Sequence, residues 1–165
     1  MTRLTGAPMY ENISDLLQQI VLGEDSVLEL KTVEFKGDKI IGPHKDGMAD
    51  ELAAFANTAT GIIVLGVDDK TKEIQGLPSD KLDIVESWLR SICNDSIEPP
   101  LDCVIRKIRV SDQNTSEKTI IRIDVPRSLF VHKSPNGYFR RIGSSRREMT
   151  PDLLARVFQQ RSQVR

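Results

Sequence analysis

Four segments of the chain repeat apolar side chains at the three- and four-residue spacing of an amphipathic helix. The first ends at Leu22, with Asn12 as its N-cap and Gly23 as the residue that stops it. The others are predicted over about 45–58, from Ser79 to about residue 92, and from Pro151 into the C-terminal segment. Helices are therefore expected along the whole length of the chain.

Strands are predicted where apolar side chains alternate or run together. Residues 27–35 alternate, so that Leu28 and Leu30 share one face of a sheet while Glu29 and Lys31 share the other. Residues 61–67 are continuously apolar, which is typical of a strand covered on both faces. Further strands are predicted over 102–110 and 119–125, joined as a hairpin by the polar loop 111–118, and over 138–142. The polar residues 36–46 are predicted to form a loop.

The order of these elements predicts the fold class. Strand 27–35, helix 45–58 and strand 61–67 have the size of a βαβ unit, with a right-handed crossover if the strands are parallel. We therefore expect an α/β domain of the mixed, α+β kind, in which helices flank a mixed β-sheet. One domain spanning residues 1–165, with its core over about 10–160, agrees with the usual ~100–200 residues per domain.

Membrane and zinc proteins are disfavoured by the sequence. The longest apolar run, residues 61–67, is much shorter than the ~18 residues that a membrane span needs. The N-terminal residues lack the pattern of a secretory signal, and Cys93, Cys103 and the two histidines do not have zinc-ligand spacing. We expect a cytoplasmic protein with no membrane contact and no zinc site.

A nucleoside-triphosphate site of the P-loop kind is also disfavoured. Gly61 and Gly66 have the spacing of that loop, but Val67 and Asp68 follow where a lysine and a serine or threonine are required. The residues between the two glycines are apolar strand residues. No ATP-binding P-loop is therefore expected.

Charge is distributed unevenly along the chain. Residues 1–130 carry 15 Lys or Arg against 22 Asp or Glu, whereas residues 131–165 carry 8 against 2. Such asymmetry favours a basic surface for an anionic partner. The alternative is a solvated C-terminal helix with ordinary surface arginines.

An acidic group is the first candidate for chemistry. Glu29 and Lys31 project from the same strand face, Glu24 follows a helix-ending glycine close by, and Asp68 and Asp69 follow the next strand. Converging carboxylates would suit Mg²⁺ or Mn²⁺, which can activate water for attack on a phosphodiester. The alternative is a solvated strand face beside an ordinary Asp-Asp-Lys turn.

A basic segment is the second candidate, and it predicts contact with phosphate or nucleic acid. Arginine forks and serine hydroxyls suit phosphate oxygens, and an aromatic ring can stack on a base. The alternative is a sheet edge protected by charge from aggregation. The candidate contacts are Tyr138, Arg140, Arg141, Ser144, Ser145, Arg146 and Arg147.

Taken together, these motifs resemble the Schlafen AlbA-like domain family. The motifs that carry the resemblance are Gly23-Glu24 with Glu29-Leu30-Lys31, Leu52-Ala-Ala-Phe-Ala-Asn-Thr58, Gly61-Ile-Ile-Val-Leu-Gly-Val-Asp-Asp69, Gly76 and Tyr138-Phe-Arg-Arg-Ile-Gly-Ser144. The resemblance covers about residues 10–160 and implies a nucleic-acid-binding domain.

The resemblance also implies an activity, because some Schlafen proteins cleave transfer and ribosomal RNA with a divalent-metal site of two glutamates and one aspartate. By motif these fall on Glu24, Glu29 and Asp68, with Asp69 as the near alternative. Lys31 would assist them, and the arginines would hold RNA in preference to DNA. Pairing of two lobes in the vertebrate proteins implies a homodimer for a single lobe.

The sequence departs from the family pattern at three points. Ala59-Thr60-Gly61 replaces a turn with two adjacent glycines, Leu30 replaces a common phenylalanine, and the vertebrate Cys/His zinc site has no counterpart. None of these changes removes a carboxylate. The rival to a metal-dependent endoribonuclease is a non-catalytic DNA- or RNA-binding module of a transcriptional regulator.

Overall fold

The structure is a computed structural model that describes residues 12–111 and 116–162. Its α-helices are α1 (Ile13–Leu22), α2 (Lys45–Thr58), α3 (Leu82–Ser91) and α4 (Pro151–Ser162). Its strands are β1 (Leu28–Lys31), β2 (Glu34–Lys36), β3 (Lys39–Gly42), β4 (Gly61–Leu65), β5 (Val104–Ser111), β6 (Glu117–Val125), β7 (Phe139–Ile142) and β8 (Ser145–Glu148). A short 3-10 turn, Ser79–Lys81, precedes α3, and a π-helical turn, Ile92–Ser96, follows it.

The main sheet has the strand order β1-β4-β6-β5. β1 and β4 are parallel and are connected through α2, which confirms the predicted βαβ unit. β6 is antiparallel to both β4 and β5, so the sheet is mixed, as the sequence predicts. The fold is therefore of the expected α+β kind, with helices against a mixed sheet.

Each face of this sheet is covered by a hydrophobic core. On one face, Leu28 and Leu30 of β1 pack with Leu16 and Ile20 of α1. The other face packs against α2 and α3 through residues such as Leu52, Phe55, Ile63, Leu65 and Leu89. Because Glu29 is in register with Ile63, alternation directs its side chain toward α2. A carboxylate is thereby placed inside the apolar layer.

The helix boundaries follow the sequence signals closely. The side chain of Asn12 accepts a hydrogen bond from the Ser14 backbone N–H at 2.7 Å, and Gly23 ends α1 with a φ of 97°. The helix predicted from Ser79 is different at its start, because the 3-10 turn comes first and α3 begins at Leu82.

Two short hairpins were not predicted. The chain leaves the main sheet after Lys31, so residues 27–35 are not one strand, and the predicted loop 36–46 contains β3. β2 and β3 pair antiparallel through a turn at Gly37, whose φ of 61° suits glycine. β8 pairs with β7 through a similar turn at Gly143, with a φ of 57°. The strands of both hairpins are only three or four residues long, too short to show the apolar alternation that marks a strand.

Among the described residues, the helices are too short and too polar for any of them to cross a lipid bilayer.

Candidate nucleic-acid interface and acidic cluster

The β7–β8 hairpin divides the arginines of the basic segment between its two faces. Arg140 lies opposite Arg147, and Arg141 lies opposite Arg146, in the antiparallel register. Because successive side chains of a strand point to opposite faces, one pair faces α2 and the other faces away from it. We call Arg141 and Arg146 the inner pair and Arg140 and Arg147 the outer pair.

Arg141 of the inner pair is buried and fully engaged. Its Nη1 donates to Glu29 Oε1 at 2.8 Å and to Glu51 Oε2 at 3.1 Å. Its Nη2 donates to the carbonyl oxygens of Asp25 and Leu28, and its Cζ lies 4.4 Å from the centre of the Phe55 ring. The structure thus places Arg141, a predicted nucleic-acid contact, inside the fold, where its side chain holds the hairpin to the sheet and α2.

Arg146 extends the same network on the inner face. Its Nη1 donates to Glu51 Oε1 at 2.6 Å, and its Nη2 lies 4.0 Å from Asp50 Oδ2. Its Cζ lies 5.8 Å from the centre of the Phe139 ring. The side chain is 34% exposed, so Arg146 reaches the surface at the edge of this network.

The outer pair is placed differently. Arg140 is half-buried and Arg147 is exposed, and within residues 12–111 and 116–162 neither guanidinium makes an ion pair or a side-chain hydrogen bond. The Arg140 Nε atom is buried without a partner in that part of the chain. Two like charges directly opposite on a hairpin repel each other unless an anion lies between them. The outer face therefore carries two opposed guanidinium groups that no acidic side chain of the described residues neutralises.

The other predicted contacts lie around the outer pair. Ser144 and Ser145 are exposed at the turn, and the Ser145 hydroxyl lies 3.5 Å from the Ile142 carbonyl oxygen. Tyr138 is half-buried and meets the Phe158 ring edge-on, with 5.7 Å between ring centres. The two serines are thus accessible to a ligand, whereas the Tyr138 ring is partly occupied by α4.

The acidic residues are only partly brought together. Glu24 lies close enough to Glu29 to raise the pKa of its carboxyl group, and Glu24 Oε2 accepts from the Leu30 backbone N–H at 3.0 Å. Burial, reinforced by Glu24, raises the pKa of Glu29 to about 7, although Lys31 and Arg141 oppose the change. Lys31 Nζ lies 3.6 Å from Glu29 Oε2.

Asp68 is engaged in its own turn. Its Oδ1 accepts hydrogen bonds from the backbone N–H groups of Lys70 and Thr71, at 2.8 Å each, and these bonds lower its pKa. Asp69 is exposed and lines a surface cavity together with Glu29, Lys31 and Glu34. In the described part of the chain, no three Asp, Glu, His or Cys side chains are grouped to hold one ion. Glu24, Glu29 and Asp68 do not form such a group here, and their binding of a divalent cation stays a prediction.

Sequence reasoning missed the residues of α2 that organise the basic segment. Asp50 accepts from the backbone and side-chain nitrogens of Asn136, and Glu51 binds both inner arginines. Both are buried, at 0% and 6% exposure, in an otherwise apolar stretch of helix. Two adjacent acids in a run of alanine, leucine and phenylalanine were the available signal, because buried carboxylates need cationic or N–H partners.

The end of α2 also binds the segment that leads to β7. Asn57 Nδ2 donates to the carbonyl oxygens of His132 and Phe139, and Asn57 Oδ1 accepts from the His132 N–H. Thr58 Oγ1 accepts from the Arg141 backbone N–H at 2.9 Å. The Ala-Phe-Ala-Asn-Thr motif and the Tyr-Phe-Arg-Arg motif are thus two halves of one packed unit.

Comparison with known proteins agrees with this arrangement. The model of the family described as Schlafen, AlbA_2 matches residues 29–150, which is most of the chain and contains both halves of that packed unit. The crystal structure of the DIP2311 protein from Corynebacterium diphtheriae is similar, with a TM-score of 0.52 and 25% sequence identity. That similarity covers 75% of this chain and 22% of the DIP2311 chain, so this chain spans about a fifth of the length of that protein. The chain belongs to the Schlafen AlbA_2 family, whose domains are generally associated with nucleic acids.

Proposed function

We propose that this domain binds nucleic acid through the outer face of the β7–β8 hairpin. The observation that carries the proposal is the outer pair, Arg140 and Arg147, which lie directly opposite each other without an anionic partner in the described residues. Arginine guanidinium groups match phosphate oxygens in a two-bond geometry. The exposed Ser144 and Ser145 at the adjoining turn supply hydroxyl donors.

We further propose RNA rather than DNA as the ligand, as the resemblance to the Schlafen enzymes implies. The support for the binding mode is independent of that choice, because phosphate contacts are common to both polymers. Competition between a transfer RNA and a DNA duplex of equal length for the same sites distinguishes the two.

The binding test compares two matched double variants. Arg140→Gln/Arg147→Gln removes the outer pair, and Lys36→Gln/Lys39→Gln removes an exposed pair that lies directly opposite on the β2–β3 hairpin. Both variants lose the same charge from an antiparallel hairpin. The lysine pair adjoins the exposed acids Glu34 and Asp38, which oppose phosphate binding, whereas the arginine pair adjoins the exposed serine turn. With a chelator present, we expect the arginine variant to bind transfer RNA at least tenfold more weakly and the lysine variant to bind nearly as well as wild type. Equal losses in the two variants would refute the proposed location.

Metal-dependent cleavage of RNA is the second candidate function, and the proximity of Glu24 to Glu29 favours it. Two adjacent carboxylates, one with a raised pKa, are an arrangement that Mg²⁺ or Mn²⁺ would stabilise. A third oxygen ligand has to join them, and Asp69, which lines the same cavity as Glu29, is the carboxylate we propose. Asp68 could bind the ion only if its carboxylate gave up the hydrogen bonds from the backbone N–H groups of Lys70 and Thr71.

The cleavage test uses transfer RNA, ribosomal RNA and single-stranded DNA with Mn²⁺ or with a chelator. We expect nicking of RNA that requires Mn²⁺ and is lost in Glu24→Gln, whereas Glu73→Gln, at an exposed position, retains it. Binding without nicking in any metal would leave a non-catalytic module. Nicking that persists in the chelator would refute the metal requirement.

A homodimer is proposed as the assembly of this single lobe. Leu129 and Phe130, each more than 60% exposed, line an apolar groove with Phe158 of α4, and apolar groups of this kind are a usual component of subunit contacts. Mass measurement in solution by light scattering tests it. A monomeric mass at high protein concentration would contradict the dimer.

A further inference from the structure

Cys93 and Cys103 are in contact, although neither belongs to the proposed nucleic-acid interface. Both are free thiols, and their Sγ atoms are 3.8 Å apart. Cys93 lies in the π-helical turn Ile92–Ser96 and Cys103 directly precedes β5. A hydrogen bond from the Leu101 N–H to the Cys93 carbonyl oxygen, 3.0 Å long, closes the connection between them. The π-helical turn and the residue before β5 therefore bring the two sulfur atoms side by side.

The two thiols have different acidities. Contact with Cys103 lowers the pKa of the Cys93 thiol. Contact with Cys93, together with burial, raises the pKa of the Cys103 thiol well above its usual range. The thiolate is the form that attacks an oxidant, so we expect Cys93 to react first and Cys103 second, an order that the single variants test. Because Cys93 is only 5% exposed, the oxidant has to be small.

We propose that Cys93 and Cys103 are a redox modification site. Hydrogen peroxide oxidises the two thiols to a reversible intramolecular disulfide. The Cys93 thiolate attacks a peroxide oxygen and the O–O bond breaks. Hydroxide departs as the leaving group, and Cys93 becomes a sulfenic acid. The Cys103 sulfur then attacks the Cys93 sulfur, the S–S bond forms, the S–O bond breaks, and water leaves. Overall, two thiols lose two electrons and two protons, and one peroxide becomes two waters.

The geometry requires only a local adjustment. The sulfur atoms must close from 3.8 Å to about 2 Å. The closed loop would contain Glu98 and Pro99, which are already bound to the segment before β7. Glu98 exchanges two backbone hydrogen bonds with Lys133, and the Pro99 carbonyl oxygen lies 2.7 Å from His132 Nδ1. The disulfide would therefore fix a loop that supports that segment.

The test uses the reduced full-length protein, treated with hydrogen peroxide and then alkylated. Trypsin cleavage after Arg90 and Arg106 leaves both cysteines in one peptide, residues 91–106. We expect that peptide to lose the mass of two hydrogens and to resist alkylation until dithiothreitol is added. The oxidised protein is expected to melt about 5 °C higher than the reduced protein, because the cross-link restricts the unfolded chain.

Single variants check the order of the two steps. In the Cys103→Ser variant, a sulfenic acid should accumulate on Cys93 and be labelled by dimedone. In the Cys93→Ser variant, dimedone should label Cys103 much less. The decisive measurement is made on the wild-type protein, as the mass and alkylation of the peptide that contains both cysteines. Two thiols that both remain alkylatable after peroxide, oxidation to separate sulfinic acids, or only intermolecular disulfides would each overturn the proposal.

Discussion

The two faces of the β7–β8 hairpin carry the same residue type in opposite environments. Arg141 of the inner pair is 4% exposed and bound to Glu29 and Glu51. Arg140 and Arg147 of the outer pair have no anionic partner among the described residues. A guanidinium enclosed by carboxylates and carbonyl oxygens stabilises the fold, whereas an unpaired one at the surface is available to a ligand. A run of arginines must therefore be divided by strand alternation before any role is assigned.

The largest expected effect comes from removing the inner arginine that binds two acids. Arg141→Met leaves Glu29 and Glu51 buried without their shared cation, and we expect a loss of about 3–5 kcal/mol in the free energy of unfolding. Urea denaturation followed by circular dichroism measures it. A loss below about 1 kcal/mol would mean that the inner pair does not hold the hairpin.

Gly61 tests the packing beneath that arginine. A Cβ at this position would lie 1.9 Å from Cδ1 of Phe55, whose ring packs under Arg141. We expect Gly61→Ala to cost about 1–3 kcal/mol.

Gly47→Ala in α2 is the matched control, since its Cβ would meet nothing closer than Arg146 Nη2 at 3.9 Å. Alanine there should stabilise the helix by about 0.5–1 kcal/mol. The same urea titration compares both variants, and equal effects would contradict the role of Phe55 as a closely packed support.

The pH dependence of stability tests the inner network by titrating one of its carboxyl groups, Glu29. The pKa of Glu29 rises from its ordinary value of 4.5 to about 7 on folding, so between these values the folded protein binds more protons than the unfolded chain. This contribution to stability is complete below pH 4.5 and is lost as the pH rises through 7. Glu29→Gln lacks it.

We therefore expect the stability of Glu29→Gln to gain about 2–3 kcal/mol relative to wild type between about pH 5 and about pH 8. Unfolding titrations of both proteins at several pH values measure the difference. Other acids whose pKa values are lowered on folding are present in both proteins. Their contributions to the pH dependence therefore cancel in the difference between the two. Parallel curves would show that Glu29 does not titrate in this range.

The smallest effect on stability is expected on the outer face. Arg140→Gln/Arg147→Gln removes no ion pair within the described residues, so the free energy of unfolding should change by less than about 0.5 kcal/mol. Thermal melting is a sufficient measurement. A loss comparable to that of Arg141→Met would remove the distinction between the two faces.

Much of the fold could be predicted because its signals are local. Asn12, Gly23 and the helical spacing between them define α1, and the apolar run from Gly61 defines β4. β3 and β8 could not be predicted in the same way, because strands of four residues are stabilised by pairing with a neighbour and carry little pattern of their own.

The candidate site was predictable in residue type but not in arrangement. The sequence groups Arg140, Arg141, Arg146 and Arg147 in one basic segment, and only the pairing of β7 with β8 separates them. The apolar neighbours of Glu51 indicate a buried carboxylate, but they do not identify its partner Arg141, which is distant in sequence. Asp68 has the expected spacing after β4, yet neighbouring backbone N–H groups satisfy its carboxylate locally. The role of the metal therefore remains a prediction.

The most direct test of the two-face account is the salt dependence of RNA binding. Each phosphate contact contributes close to one unit to the slope of log K against log salt concentration. We predict that Arg140→Gln/Arg147→Gln lowers this slope by about two units, whereas Lys36→Gln/Lys39→Gln leaves it at the wild-type value. A wild-type slope in the arginine variant, with the protein folded, would contradict the account.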